Sequence, residues 1–70
     1  MKILITGTSK GIGLALAKRY LELGHEVYGL DLLKSSINNK NYHHFIVDVS
    51  KKKQLPNIEG IEVLINNAGL

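Results

Sequence analysis

The segment Thr-Gly-Thr-Ser-Lys-Gly-Ile-Gly at residues 6–13 combines the residue types that bind phosphate groups. A pyrophosphate is anionic, and the first turn of a helix offers it unpaired N–H groups and the positive end of the helix dipole. Glycine is needed in such a turn because side chains would block the phosphates, and Gly13 would let the helix lie close to the preceding strand. The segment predicts a dinucleotide site, with a ligand-free tight turn as the alternative. The predicted contact residues are Gly7, Ser9, Lys10, Gly11, Ile12 and Gly13.

A carboxylate, Asp31, stands at the end of the second predicted strand. It can accept hydrogen bonds from the hydroxyls of an adenosine ribose, and it would repel a 2′-phosphate, so it favours NAD and makes NADP the weaker candidate. Lys10 argues for NADP, because a cation in the phosphate loop could bind a 2′-phosphate. Asp31 carries more weight because its carboxylate would lie against the 2′ position, and Leu32 after it supplies no cation. The alternative is a solvated loop aspartate.

The elements that must position these residues alternate between apolar strands and connections. The run Ile3-Leu4-Ile5 predicts a buried strand over residues 1–6, and further strands are predicted over 26–30, 44–49 and 61–65. A helix follows the glycine-rich turn and stops at Gly24. Its predicted buried face consists of Ile12, Ala15, Leu16, Tyr20 and Leu23. Residues 34–41 and 51–60 are predicted to be loops or short helices. Strands separated by crossovers indicate an α/β fold with a parallel sheet of Rossmann type.

Length and composition exclude several classes of protein. The chain has 70 residues, a net charge of +3 and no cysteine, so it allows one small domain without disulfides or thiolate metal sites. No apolar run is long enough for a signal peptide or a membrane span, which predicts a cytoplasmic protein without a membrane partner. The basic run Lys51–Lys53 is interpreted as a solvated segment, so no nucleic acid partner is predicted. His43 and His44 would point to opposite faces of a strand, so no metal site is predicted.

Taken together, these residues resemble the short-chain dehydrogenase/reductase family in four places. Residues 6–13 match its Thr-Gly-x-x-x-Gly-x-Gly cofactor motif, and Asp31 matches its acidic ribose position. Asp48-Val49 matches the position whose aspartate holds the adenine edge in that family. Asn66-Asn67-Ala68-Gly69 matches the Asn-Asn-Ala-Gly signature, which supports the central sheet and packs beside the cofactor, although Asn66 bonding to neighbouring backbone is an equal alternative. The resemblance adds these cofactor-contact residues: Leu32, Asp48, Val49, Asn67, Ala68 and Gly69.

The resemblance also implies what this chain does not contain. The family's catalytic serine, tyrosine and lysine lie beyond the Asn-Asn-Ala-Gly motif, and none of Tyr20, Tyr28 and Tyr42 begins a Tyr-x-x-x-Lys pattern. No catalytic residue is therefore predicted. Residues 1–70 are expected to form a partial NAD(P)-binding domain, the N-terminal part of an oxidoreductase that transfers hydride between NAD(P) and a carbonyl or alcohol. The alternative function is a non-catalytic nucleotide-binding or interaction module.

The predicted fold leads to two expectations, one about the strand order and one about the exposed edge of the sheet. The sheet should have the strand order 3-2-1-4, be truncated after its fourth strand, and hold the cofactor at the carboxyl ends of strands one and four. The edge at residues 63–65 would then be bare and apolar, and such an edge invites pairing with another strand. We therefore predict a homo-oligomer formed through this edge or an apolar face.

Overall fold

The computed structural model describes residues 1–48 and 56–67. One helix and four strands are present in this part of the chain. In chain order they are β1 (Lys2–Thr6), α1 (Gly11–Glu22), β2 (Glu26–Asp31), β3 (Tyr42–Ile46) and β4 (Val63–Ile65).

The four strands form one parallel sheet in the order β3-β2-β1-β4, which confirms the predicted fold class and strand order. The chain runs outward from β1 through β2 to β3, and β4 then pairs with the other side of β1. A sheet whose order reverses in this way leaves a crevice at the carboxyl ends of the strands beside the reversal. Just beyond β1, the Gly7 N–H donates to the Leu30 carbonyl oxygen at 2.7 Å, which holds the start of the glycine-rich turn against β2.

The helix α1 covers one face of the sheet, and the core lies between them. The core residues are Ile3, Ile5, Ala17, Leu21, Val27 and Tyr42. Side chains alternate along a strand, so Leu4, Tyr28 and His43, which share one register row, lie on the opposite face. In the described residues no helix covers that face.

The predicted buried face of α1 is partly wrong. The buried helix residues are four apart: Gly13, Ala17 and Leu21. Of the predicted face, Leu16 and Tyr20 pack partly buried against the core, whereas Ala15 is exposed and Ile12 and Leu23 are 72% and 54% exposed. The physical reason is residue size: small side chains let the helix backbone approach the sheet, so the line of closest approach follows Gly13 and Ala17. The helix ends at Glu22, and Gly24 beyond it acts as the predicted stop: its φ is 88° and its N–H bonds to the Leu21 carbonyl at 3.0 Å.

All four strands differ from their predicted bounds, β1 and β2 by only one residue each. The third strand, predicted over residues 44–49, runs from Tyr42 to Ile46, because Tyr42 and His43 pair with Val27 and Tyr28 of β2. The apolar run that ends at Val47 had suggested a later start. The fourth strand, predicted over residues 61–65, is only Val63–Ile65, although Glu62 N–H already bonds to the Lys2 carbonyl at 2.9 Å. Residues 34–41 form a loop, which is one of the two structures predicted for them.

The strand β4 is the edge of the described sheet, and Leu64 in it is 66% exposed. Association of two copies through this edge stays a prediction. Within residues 1–48 and 56–67, the 12-residue helix α1 is too short to cross a bilayer.

Candidate functional site

The turn between β1 and α1 is built from glycine. Gly7 and Gly11 have φ angles of 75° and 62°, a region that residues with a Cβ rarely adopt. Lys10, the residue before α1, is extended, its side chain makes no capping hydrogen bond, and the first helical turn contains no acidic residue. The first N–H groups of α1 therefore keep their capacity to bind a ligand, with the positive end of the helix dipole behind them. A Cβ added at Gly11 would meet nothing within 4 Å, so this side of the turn is open.

Gly13 occupies the tightest point of the turn. It is buried, and a Cβ there would overlap the Gly7 carbonyl oxygen and lie 2.7 Å from the Asn67 side-chain nitrogen. The helix can therefore approach the ends of β1 and β4 only because this position lacks a side chain. Gly13 sets how closely the first turn of α1 sits to the strand ends.

Asp31 lies at the end of β2 and is bonded to the glycine-rich turn. Its Oδ2 accepts from the Ser9 N–H at 2.9 Å, and its Oδ1 accepts from the Leu33 N–H at 3.1 Å. The Ser9 hydroxyl donates to the Leu33 carbonyl at 3.1 Å, which closes a small ring of contacts between the two loops. Burial acts to raise the pKa of Asp31, but the N–H donors of Ser9 and Leu33 outweigh it and hold that pKa below its usual value. The carboxylate is thus ionised and fixed in position near neutral pH.

The asparagines after β4 contact the end of β1. Asn67 donates from its side chain to the Gly7 carbonyl at 3.2 Å, and its own N–H donates to the Thr6 hydroxyl at 2.9 Å. The Thr6 hydroxyl in turn donates to the Asn66 side-chain oxygen at 3.2 Å. Among the described residues Asn66 contacts the Thr6 side chain, and neither of the two alternatives predicted for it, neighbouring backbone or ligand, is tested by that contact. These contacts fix the glycine-rich turn from its β4 side.

The remaining predicted site residues divide into described and undescribed positions. Leu32, next to Asp31, exposes its apolar side chain, and so does Ile12 at the start of α1. Asp48 lies just past β3 and is half-buried; the N–H of Val47 before it bonds to the Asp31 carbonyl at 2.9 Å. The other three predicted contacts lie outside the described residues: Val49, Ala68 and Gly69. The described parts of the chain contain no group of three potential metal ligands.

Four residues beside this site are not among those predicted from the sequence: Thr8, Gly29, Tyr42 and His44. The Thr8 hydroxyl lies 2.7 Å from the Tyr42 hydroxyl, which lies 2.6 Å from His44 Nδ1. A Cβ at Gly29 would overlap both the Tyr42 and the Thr8 hydroxyls. The signal for them was the polar alternation of Tyr42 and His44 in β3 opposite a glycine inside β2. His43, as predicted, lies on the other face, stacked on Tyr28 at 4.7 Å between ring centroids.

The chain is similar in sequence to several oxidoreductases. It is 40% identical over 76 residues to an uncharacterised oxidoreductase of Schizosaccharomyces pombe, an alignment that covers 97% of this chain and 30% of that protein. It is 36% identical over 80 residues to a benzil reductase ((S)-benzoin forming) of Bacillus subtilis, covering 96% of this chain and 32% of that protein. The chain thus spans about a third of the length of the curated relatives it matches.

Solved structures show the same arrangement of strands and helix. A short chain dehydrogenase from Leptospira borgpetersenii with bound NAD⁺ superposes with a TM-score of 0.71 and 29% identity, covering 76% of this chain and 22% of that one. A 4-hydroxyisoleucine dehydrogenase complexed with NADH superposes with a TM-score of 0.59 and 33% identity, covering 74% and 22%. The family model described as short chain dehydrogenase matches residues 1–70. The chain therefore belongs to the short chain dehydrogenase family.

Proposed function

We propose that this chain binds the adenosine and pyrophosphate half of NAD at the carboxyl edge of its sheet. We further propose that the whole protein's activity is hydride transfer between NAD and a carbonyl or alcohol substrate. Family membership supports both statements, as do the NAD⁺ and NADH carried by the two similar solved structures. When bound, the dinucleotide supplies the hydride chemistry, and the residues described here bind and orient it.

The pyrophosphate would be held by the turn between β1 and α1. Gly7 and Gly11 keep the turn free of side chains, and the uncapped first turn of α1 offers N–H donors to an anion. The open space beside Gly11 supports this placement, because a side chain there would fill the volume the phosphates need. Lys10 is exposed at the same turn and adds a positive charge near the phosphates.

The single observation that carries the proposal is the bond from the Ser9 N–H to Asp31 Oδ2 at 2.9 Å. It fixes a charged carboxylate beside the turn that would hold the phosphates, where the adenosine ribose would follow. An ionised carboxylate offers about four lone-pair sites, and two backbone donors occupy only part of them, so both oxygens can still accept ribose hydroxyls. The same negative charge would repel a 2′-phosphate, which favours NAD over NADP.

The adenine would lie between the exposed side chain of Leu32 and the segment after β3. Asp48 stands in that segment, and the Val47 N–H bond to Asp31 brings the segment to the same edge of the sheet. This placement follows the family resemblance of Asp48.

Calorimetric titration with NAD and NADP tests the proposal. Wild-type chain should bind NAD more tightly than NADP. Asp31→Asn keeps the side-chain size but removes the charge, and it should weaken NAD binding by about tenfold, the loss expected for a hydrogen bond to a charged group. Glu26→Gln, at the opposite end of β2, is the matched control and should bind as the wild type does. A folded chain that binds neither dinucleotide, or that prefers NADP, would contradict the proposal.

A further inference from the structure

A chain of hydrogen bonds, buried at its first member and exposed at its last, connects the glycine-rich turn to the turn after β2. It begins at the Thr8 hydroxyl, passes through the Tyr42 hydroxyl at 2.7 Å and His44 Nδ1 at 2.6 Å, and ends where His44 Nε2 meets the Leu33 carbonyl oxygen at 2.8 Å. Thr8 is completely buried and Tyr42 is 9% exposed. Water therefore has little access to its first two members, and each depends on the next for its hydrogen bond.

The direction of each bond follows from the chemistry of its end group. A carbonyl oxygen can only accept, so His44 Nε2 carries the hydrogen and donates to Leu33. In the neutral ring Nδ1 is then an acceptor, and the Tyr42 hydroxyl donates to it. The Tyr42 oxygen is left to accept from the Thr8 hydroxyl. One histidine tautomer thus satisfies every member of the chain.

The Leu33 backbone connects this series of hydrogen bonds to the proposed nucleotide site. Its carbonyl accepts from both His44 Nε2 and the Ser9 hydroxyl, while its N–H donates to Asp31 Oδ1 at 3.1 Å. The Leu33 carbonyl and the Leu33 N–H belong to successive peptide units that share the Leu33 Cα, so holding the carbonyl limits the rotations about that Cα that would move the N–H. His44 therefore restrains the donor that orients the Asp31 carboxylate.

We propose that His44, itself held by Tyr42, is a positioning residue for the ribose site and fixes the Asp31 carboxylate before the dinucleotide arrives. This inference rests on the proposed function. Preorganisation of this kind increases affinity because the turn does not have to be ordered during binding. Gly29 leaves the space that this arrangement needs. It pairs with His44 in the sheet register, and a Cβ there would overlap the Tyr42 and Thr8 hydroxyls.

Substitutions at His44 separate positioning from simple packing. His44→Phe removes both ring nitrogens and should weaken NAD binding about fivefold, the effect of losing one net hydrogen bond. His44→Gln keeps an N–H donor near the position of Nε2 and should restore most of the affinity. His43→Phe, on the opposite face, is the matched control and should bind NAD as the wild type does. Equal losses in the Phe and Gln variants would overturn the proposal.

A double-mutant cycle with Asp31→Asn tests whether His44 acts through that carboxylate. If it does, His44→Phe should have no further effect on NAD affinity in the Asp31→Asn background, because the group being positioned has lost its charge. A fivefold loss that persists in that background would show an independent role for His44 and contradict the proposal.

A measurement on the ligand-free chain separates this inference from the proposed function. Carboxyl ¹³C NMR should show the pKa of Asp31 rising toward its usual value in His44→Phe and staying low in His44→Gln, because only the former releases the Leu33 carbonyl and so loosens the residue whose N–H donates to Asp31. An Asp31 pKa that is unchanged in His44→Phe would overturn the positioning role, whether or not the chain binds NAD. Failure of the wild type to bind NAD would instead contradict the proposed function alone.

Discussion

Two tyrosine–histidine pairs lie on opposite faces of the sheet, and their surroundings differ. Tyr42 and His44, on the face covered by α1, are tilted with ring centroids 5.7 Å apart. Tyr28 and His43, on the other face, are stacked at 4.7 Å, and both contact the Glu26 carboxylate, at 2.9 and 3.3 Å. The first pair ends on the backbone of Leu33 beside the proposed nucleotide site. The second ends on a solvent-accessible carboxylate. The same residue types thus organise a loop on one face and contact a surface carboxylate on the other.

The pKa values of Tyr42 and Tyr28 are both raised, but the causes differ. Burial raises the pKa of Tyr42, the Thr8 and Ser35 side chains oppose that rise, and the Asp31 charge adds to it. The hydrogen bond to Glu26 is the main cause of the raised pKa of Tyr28. A shifted pKa alone therefore does not mark a functional site in this protein. Glu26 and Tyr28 shift each other's pKa and contact none of the described residues of the proposed nucleotide site.

The largest effect should come from adding bulk beside the covered pair. Gly29→Ala places a methyl group where the Tyr42 and Thr8 hydroxyls lie. It should lower the free energy of unfolding by about 3 kcal/mol, because the buried side chains of Tyr42 and Thr8 would both have to shift to make room for the methyl group. Urea denaturation measures this, with Ala15→Val at an exposed helix position as the control. A loss no larger than that of the control would mean that the covered face is loosely packed.

Removing one hydroxyl from each pair is the most direct comparison of the two faces. Tyr42→Phe leaves the buried Thr8 hydroxyl and His44 Nδ1 without their partner and should lower the free energy of unfolding by about 2 kcal/mol. Tyr28→Phe should leave the free energy of unfolding nearly unchanged, because water replaces the hydroxyl at Glu26. Thermal melting of both variants decides this. Equal losses would remove the distinction between the faces.

The smallest effect concerns the two carboxylates of β2. The pKa of Glu26 is lowered by hydrogen bonds from the Tyr28 and His43 side chains, whereas backbone donors lower that of Asp31. Both groups therefore stabilise the fold at pH values above their unfolded pKa, about 4. That contribution is lost as the pH falls through the folded pKa. In ¹³C NMR titrations, Tyr28→Phe should raise the pKa of Glu26 and leave that of Asp31 unchanged. A matching rise at Asp31 would show that the two ends of β2 are coupled.

Features that depend on neighbouring residues in the chain were predictable from the sequence. The glycine-rich turn, the apolar runs of the strands, the end of α1 at Gly24 and the position of Asp31 all have local signals, and the strand order followed from them. The contacting face of α1 was not predictable from hydrophobicity, because Gly13 and Ala17 contact the sheet through being small.

The hydrogen bonds of Tyr42 and His44 depend on the pairing register of β2 and β3, which the sequence indicates only indirectly. Its assembly requires the register in which Val27 pairs with Tyr42 and Gly29 with His44. A register shift of one residue would turn both side chains to the opposite face. The apolar run predicts a third strand that starts at His44, which places Tyr42 outside the sheet, whereas β3 starts at Tyr42.

The most direct measurement of the central claim is an amide ¹H–¹⁵N NMR titration of the chain with NAD. It reports both faces in one experiment. The amides of the glycine-rich turn and of the turn after β2 should shift with saturation: Gly7, Ser9, Gly11, Leu32 and Leu33. Those of Tyr28 and His43, on the opposite face, should stay in place. An unchanged spectrum, or shifts centred on Tyr28 and His43, would contradict the assignment of the nucleotide site.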